Sequence, residues 1–234
     1  MKKTILFVVL GIITVCCIIY GSAKNLGFAN SFTAREKSYD YDKQGSREIN
    51  QILESFSEIQ IHTNIMSLTI GEGPEFKIDG TFSKESLRPQ VSVKNGLLQI
   101  SQNSPQRGFG SGNQNCKVVI TIPSGTNLSN IDINAGVGDI RLRDLTVNDI
   151  DIDLNVGAID VRKVQLNNIE CDNNVGEISI EPAADLSEYN MELSTDVGEV
   201  RVDGVSYRKS YNCRQSGSSK KIKADTNVGE INIR

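Results

Sequence analysis

The chain of 234 residues contains no tryptophan and one histidine, His62, and only 6% of it is aromatic. Aromatic side chains bury the most area per residue, so a chain this poor in them, with 38% hydrophobic residues, must build a narrow aliphatic core. One imidazole cannot supply a His-rich metal cluster, and the outward strand phase of His62 in "IQIHTN" does not suit the base of a triad. No G-x-S-x-G, P-loop or paired zinc-ligand pattern occurs. Basic residues are not in excess: 25 Lys and Arg face 29 Asp and Glu, and two of the lysines stand in the leader, which excludes nucleic acid as a partner. Helical periodicity is confined to a short piece around "SREINQILESF".

A long apolar run occurs once, at the start. After Lys2 and Lys3 the sequence is uncharged from Ile5 to Tyr20, and Thr4 to Ala23 supplies the roughly twenty residues that span a bilayer. The lysines favour the cytoplasmic side, so residues 1–23 are expected to form a single-pass anchor in the cell membrane with the C-terminal part outside. The rival is a signal peptide cleaved after Gly21-Ser22-Ala23. Val15 before Cys16 argues against lipid attachment, leaving Cys16 and Cys17 as membrane-helix residues. Residues 24–48 are polar and aperiodic and read as an extracytoplasmic stalk; 49–234 form the folded domain.

That domain is repetitive. Glycines recur at Gly138, Gly157, Gly176, Gly198 and Gly229, the first three at 19-residue steps and the later ones after insertions. Seven residues before each stands Ile131, Ile150, Ile169, Met191 or Ile222, and two further on Ile133, Ile152, Cys171, Leu193 or Ala224. A valine precedes every glycine (Val137, Val156, Val175, Val197, Val228) and is assigned to the inward set by the same alternation. A degenerate copy lies upstream in "IQIHTNIMSLTI", with Met66 at the glycine position. Spacing of two is strand periodicity, and a fixed period near 19 predicts a single-stranded parallel β-helix of about six turns, successive turns lying on one another. An antiparallel sandwich is the alternative, but separate hairpins would not keep that phase. Two residues before the glycines, Asn155, Asn174 and Asn227 are expected at corners, with positive φ and with amides stacked in a ladder.

Between the inward positions run acidic ones. Asp132, Asp151, Glu170 and Glu192 share one phase; Asp153, Asp172 and Asp225 share another, with Asn134 and Ser194. Both point outward, with neighbours about 5 Å apart on adjacent turns. Such a face is either a solvated surface that discourages aggregation or a binding surface, for Ca²⁺, a cationic peptide, a basic envelope component or another protein. Carboxylate pairs also allow a polysaccharide lyase or hydrolase, but no basic residue is seen in phase with the acids and no cleft follows from a smooth column.

Cys171 falls at an inward phase and reads as a buried hydrophobe, whereas Cys116 and Cys213 flank insertions and can pair in an oxidising compartment. The loop "SQNSPQRGFGSGNQN" carries Phe109 as a possible contact point, and the insertion "YRKSYNCRQSGSSKK" gathers basic residues around Tyr207 and Tyr211 on what reads as a solvated hairpin.

The order "FSEIQIHTNIMSLTI", "NGLLQIS", "CKVVITIPSGTNLSNIDINAGVGDIRLRDL" and repeated "VGEI" resembles the bacterial putative adhesin domain of unknown function, Lia-type cell-envelope stress proteins included. The likeness runs from about residue 50 to 234 and is most specific at Ile122, Pro123, Gly125, Thr126 and Leu128 followed by the repeats. It implies a β-solenoid, usually membrane-tethered, without an established catalytic activity. The expectation is therefore a non-enzymatic binding or scaffolding module at the cell envelope, in adhesion or envelope stress, with no cofactor except Ca²⁺ if the acidic face takes it.

Overall fold

Alternation of Ile, Leu and Val with polar residues makes strands of almost the whole domain. The computed structural model describes residues 47–102 and 114–234; the expected anchor, nearly all of the stalk and Phe109 lie outside them. The strands are β1 (Arg47–Ile52), β2 (Glu58–Ile65), β3 (Ser67–Gly73), β4 (Lys77–Phe82), β5 (Gln90–Lys94), β6 (Leu97–Ser101) and β7 (Cys116–Pro123). There follow β8 (Asn127–Val137), β9 (Ile140–Arg143), β10 (Thr146–Val156), β11 (Ile159–Val164), β12 (Asn168–Val175) and β13 (Ile178–Pro182). The last are β14 (Tyr189–Val197), β15 (Val200–Val202), β16 (Val205–Ser206), β17 (Ser210–Cys213), β18 (Lys220–Val228) and β19 (Ile231–Ile233). The piece around "SREINQILESF" is thus no helix. Its first residues form β1, an antiparallel partner of β4, where pairing outweighs the weak local helical pattern.

Two sheets face each other. One has nine strands in the order β17-β14-β18-β12-β10-β8-β2-β6-β5, the other ten in the order β1-β4-β7-β3-β9-β11-β13-β19-β15-β16. A repeat unit is one long strand in the first sheet and one short strand in the second, and the six such units pair in parallel with their neighbours. Antiparallel strands close both ends of the stack. The all-β, solenoid-like stack is therefore present.

Its order is not that of the chain. The last repeat, β18–β19, lies between β12–β13 and β14–β15, so successive turns do not simply follow one another. The insertion after β15 explains this. The chain turns back through β16 and β17 at the outer edge, pairing antiparallel with β15 and β14, and gains the length to step over one level.

The glycines show why each corner is narrow. A Cβ on Gly157 would lie 1.7 Å from the Gly138 carbonyl oxygen, and the same holds for Gly176 against Gly157, Gly229 against Gly176 and, at 1.8 Å, Gly198 against Gly229. One glycine column therefore runs through the stack in spatial order. Each glycine adopts a φ that side chains avoid, +144° at Gly157. The N–H groups of Gly138, Gly157, Gly176 and Gly229 donate to the valine carbonyl of the adjacent turn, at 3.0 Å from Gly157 to Val175.

Two assignments are corrected here. Asn155, Asn174 and Asn227 have no positive φ; the glycines supply it at this corner, and Asp144, Lys163 and Asp203 (φ 53°, 53° and 49°) supply it at the other. The valines are not inward, since Val137 is 37% and Val197 51% exposed. The inward alternation ends one step earlier, at Ala135, Leu154, Asn173, Thr195 and Thr226, because the turn begins before the next inward position is reached. Two of these polar residues bond the glycine column: Asn173 Nδ2 donates to Gly157 O at 2.9 Å and Thr195 Oγ1 to Gly229 O at 3.1 Å.

The core between the sheets is aliphatic, with Ile61, Ile70, Ile152, Val161, Ile180 and Ile233 fully enclosed. Tyr189 is buried, its hydroxyl donating to Leu166 O at 3.0 Å. Cys171 is enclosed as expected, and burial pushes its thiol up. Cys116 and Cys213 are free thiols. They cannot pair, because β7 and β17 stand near opposite ends of the stack, about seven strand spacings or roughly 30 Å apart. Cys116 is buried and its thiol is raised to about 11 by desolvation.

Candidate functional site

The outer face of the nine-stranded sheet carries the acidic positions, each held between buried neighbours on its own strand. Strand register sets their neighbours. Across the sheet run Gln60, Asp132, Asp151, Glu170, Lys223 and Glu192. Two residues on, toward the glycine corner, run His62, Asn134, Asp153, Asp172, Asp225 and Ser194. Asp132, Asp151, Asp153, Glu170 and Asp172 therefore form one block on β8, β10 and β12. Glu192 does not join it, because the intercalated β18 places Lys223 between it and Glu170.

Lys223 holds the same phase as these acids, six residues before Gly229, so a basic residue does stand in the acidic row, and the pairing of β18 with β12 puts it beside Glu170. Its Nζ ion-pairs with Glu170 and lies 3.9 Å from Asp225. Lys221 pairs with Glu192 at 2.9 Å and holds that carboxyl below its usual range. One end of the acidic face is thus neutralised by β18, and the other is not.

Electrostatics follow from this asymmetry. Partial desolvation raises the Asp151 carboxyl above its ordinary value, and the charges of Asp153, Glu170, Asp132 and Asp172 add to the rise. Asp172 is also raised, again chiefly by desolvation, with Lys223 opposing and Asp225, Glu170 and Asp153 reinforcing. The hydrogen bond that Lys223 donates to Glu170 raises the Lys223 ammonium in turn. Beside the block the Asn ladder is present: Asn174 Nδ2 donates to Asn155 Oδ1 at 2.6 Å and Asn227 Nδ2 to Asn174 Oδ1 at 2.8 Å.

The opposite face differs. On the ten-stranded sheet Arg141 pairs with Asp139 at 2.8 Å, and Arg143 and Arg162 clasp Asp160 at 2.8 and 2.7 Å. Arg201 bridges Glu199 and Glu230. Charges there are largely compensated. Uncompensated negative charge is concentrated on the long-strand face.

Among the described residues, no group of three or more His, Cys, Asp or Glu is arranged to hold a metal ion. Nor is any helix long and apolar enough to cross a membrane. His62 is exposed on β2 between Asn134 and Ser101, as its phase implied. The insertion around Tyr207 and Tyr211 is a hairpin edge, with the two rings 4.5 Å apart.

Residues 56–234 match the profile of the Toastrack DUF4097 family. Among solved structures, the chain is similar to a putative cell adhesion protein from Clostridium sporogenes, with 21% identity and a TM-score of 0.61, covering 80% of this chain and 98% of that one. It is also similar to a putative lipid binding protein from Parabacteroides distasonis (16% identity, TM-score 0.42, 81% and 82% covered). A putative adhesin from Bacteroides fragilis is a further match (15% identity, TM-score 0.38, 82% and 98% covered). At 21% identity the first likeness is one of fold alone, and the other two superpose too loosely to add to it. No curated protein matches the sequence.

Proposed function

The chain belongs to the Toastrack DUF4097 family, and on that premise we propose that it is a non-enzymatic display module at the bacterial cell envelope, acting in adhesion or envelope stress. Residues 1–23 tether it to the cell membrane with the folded domain outside. The observation that carries the reading is the acidic block on β8, β10 and β12, held rigid by the parallel ladder and met by a cation only at its β18 edge, where Lys223 pairs with Glu170, while the opposite face is ion-paired. A flat, preorganised array of carboxylates attracts a cationic partner at little conformational cost and steers its approach. The name of the Clostridium sporogenes neighbour, a putative cell adhesion protein, fits a surface that binds rather than reacts.

A lysine-rich peptide is the better probe of this face, and Ca²⁺ is the second, because no metal cluster is formed among the described residues. In calorimetric titration the peptide is expected to bind with an affinity that falls with salt. Combining Asp151→Asn, Asp153→Asn, Glu170→Gln and Asp172→Asn is expected to abolish binding and leave folding intact. Absence of heat from the wild-type protein with both probes refutes the reading.

A further inference from the structure

Beyond the acidic block, at the other end of the same sheet, the outer face sinks into a depression of about 350 Å³ on β2, β6 and β5. That volume falls in the range of small-ligand sites. Its polar lining is Gln60, His62, Gln90, Ser92, Gln99 and Ser101, and none of the lining residues is a carboxylate, a lysine or an arginine. We propose that this depression is a binding site for a neutral, extended oligosaccharide whose chain lies across the strands.

Register supports the orientation. Gln60, Gln99 and Ser92 stand opposite one another on three adjacent strands, and His62, Ser101 and Gln90 form the parallel row two residues along. The amide row is already aligned, Gln99 Nε2 donating to Gln60 Oε1 at 3.0 Å. That bond leaves the Gln60 amide nitrogen as donor and the Gln99 carbonyl as acceptor for a ligand. Carboxamides and hydroxyls offer both donors and acceptors, as sugar hydroxyls do, so each partner can satisfy the other. Among the described residues the lining offers no carboxylate to hold a cation, and an apolar ligand would strip polar groups of water.

Spacing adds a second argument. Adjacent strands lie about 4.8 Å apart, close to the rise of one hexose in an extended β-linked glycan, so successive sugar units each meet one strand's pair of polar side chains: Gln60 with His62, Gln99 with Ser101, and Ser92 with Gln90. A coiled α-linked glycan has no such match. Among the described residues no aromatic side chain lines the site as a platform for sugar stacking, so each contact is weak. Useful affinity then comes from many copies displayed on one surface.

The test is nuclear magnetic resonance titration of the isotope-labelled full-length chain, in a polyoxyethylene detergent without sugar headgroups. The probes are cellotetraose and chitotetraose, with maltotetraose as control. The two extended oligomers are expected to shift amide resonances of β2, β5 and β6, and maltotetraose is not. Gln60→Ala combined with Gln99→Ala is expected to weaken binding about tenfold, the loss of one or two hydrogen bonds. Ser92→Ala with Ser101→Ala, a milder change, should weaken it by a smaller factor. Melting curves of both variants should match wild type. The four-site carboxylate variant of the acidic block is expected to bind the oligomers normally, which separates this site from that one. No shifts up to the solubility limit, shifts elsewhere, equal response to maltotetraose, or wild-type binding by the glutamine variant each overturn the proposal.

Discussion

Replacing Gly157 by alanine tests the glycine column directly. The added Cβ would sit 1.7 Å from the Gly138 carbonyl oxygen, whereas a carbon and an oxygen rest at about 3.3 Å or more. The two turns must separate by roughly 1.5 Å at this corner. The hydrogen bonds from Gly138 N to Val156 O (3.0 Å) and from Ile140 N to Ala158 O (2.9 Å) span that gap and would be lost or stretched. Two such bonds contribute about 1–3 kcal/mol together. Holding an alanine at a φ of +144° costs about 1–3 kcal/mol more. The expected loss is therefore about 2–6 kcal/mol, a large part of the 5–15 kcal/mol typical of a domain. In thermal denaturation followed by circular dichroism it should lower the midpoint by about 10 °C. Gly125→Ala is the control: its φ is +78° but nothing lies within 4 Å of the new methyl. It carries only the conformational strain, about 1–2 kcal/mol. Equal losses for the two variants would refute the reasoning, because the close approach between turns would then contribute nothing.

Two further outcomes follow from burial and from the acidic face. Leu193→Asp places a charge where the side chain is 2% exposed and should unfold the domain or cost several kcal/mol, while Val197→Asp, at 51% exposure on the same strand, should change stability by less than about 1 kcal/mol in urea titration. Asp151 and Asp172 have folded-state pKa values above the ordinary 3.8, so the folded protein binds their protons more tightly than the unfolded chain does and stability falls as pH rises through that window. Asp151→Asn with Asp172→Asn should accordingly be more stable than wild type at pH 7, by up to about 1 kcal/mol for such solvated groups. That advantage should vanish as pH drops to 3.8 and below; an advantage that grows on acidification would show the sign to be wrong.

Much of this architecture can be read from alternation alone. Ile131 and Ile133, with their counterparts in every repeat, are inward because period two admits no other reading once one face is buried. The same rule fails at Val137 because it assumes that the strand continues. Whether a corner comes one residue earlier depends on glycine contacts between turns, which a single repeat does not display. Residue type alone points to positive φ at Asn155 for a related reason: asparagine tolerates it, but the glycine two residues on tolerates it better and leaves the amide to stack. The acidic block was legible in its composition and not in its extent. Glu192 and Lys223 depend on which turn lies beside which, and only the topology shows that β18 separates Glu192 from Glu170. Cys116 and Cys213 failed likewise, since insertions nearby in pattern can lie at opposite ends in space.

The placement of β18–β19 between two earlier turns changes how the domain can assemble. In an ordinary repeat array, finished units are stable against their predecessors and the structure can grow one repeat at a time. Here β14 and β15 have no parallel partner until residues 220–233 arrive, since both of their parallel contacts are to β18 and β19. During synthesis from the N-terminal end, the stack up to β13 can form early, but its exposed edge stays open until the last strands slot in. Maturation thus becomes all-or-none at the final step, and an interrupted or clipped chain loses not only its last repeat but also the attachment of β14–β17 to the rest of the stack.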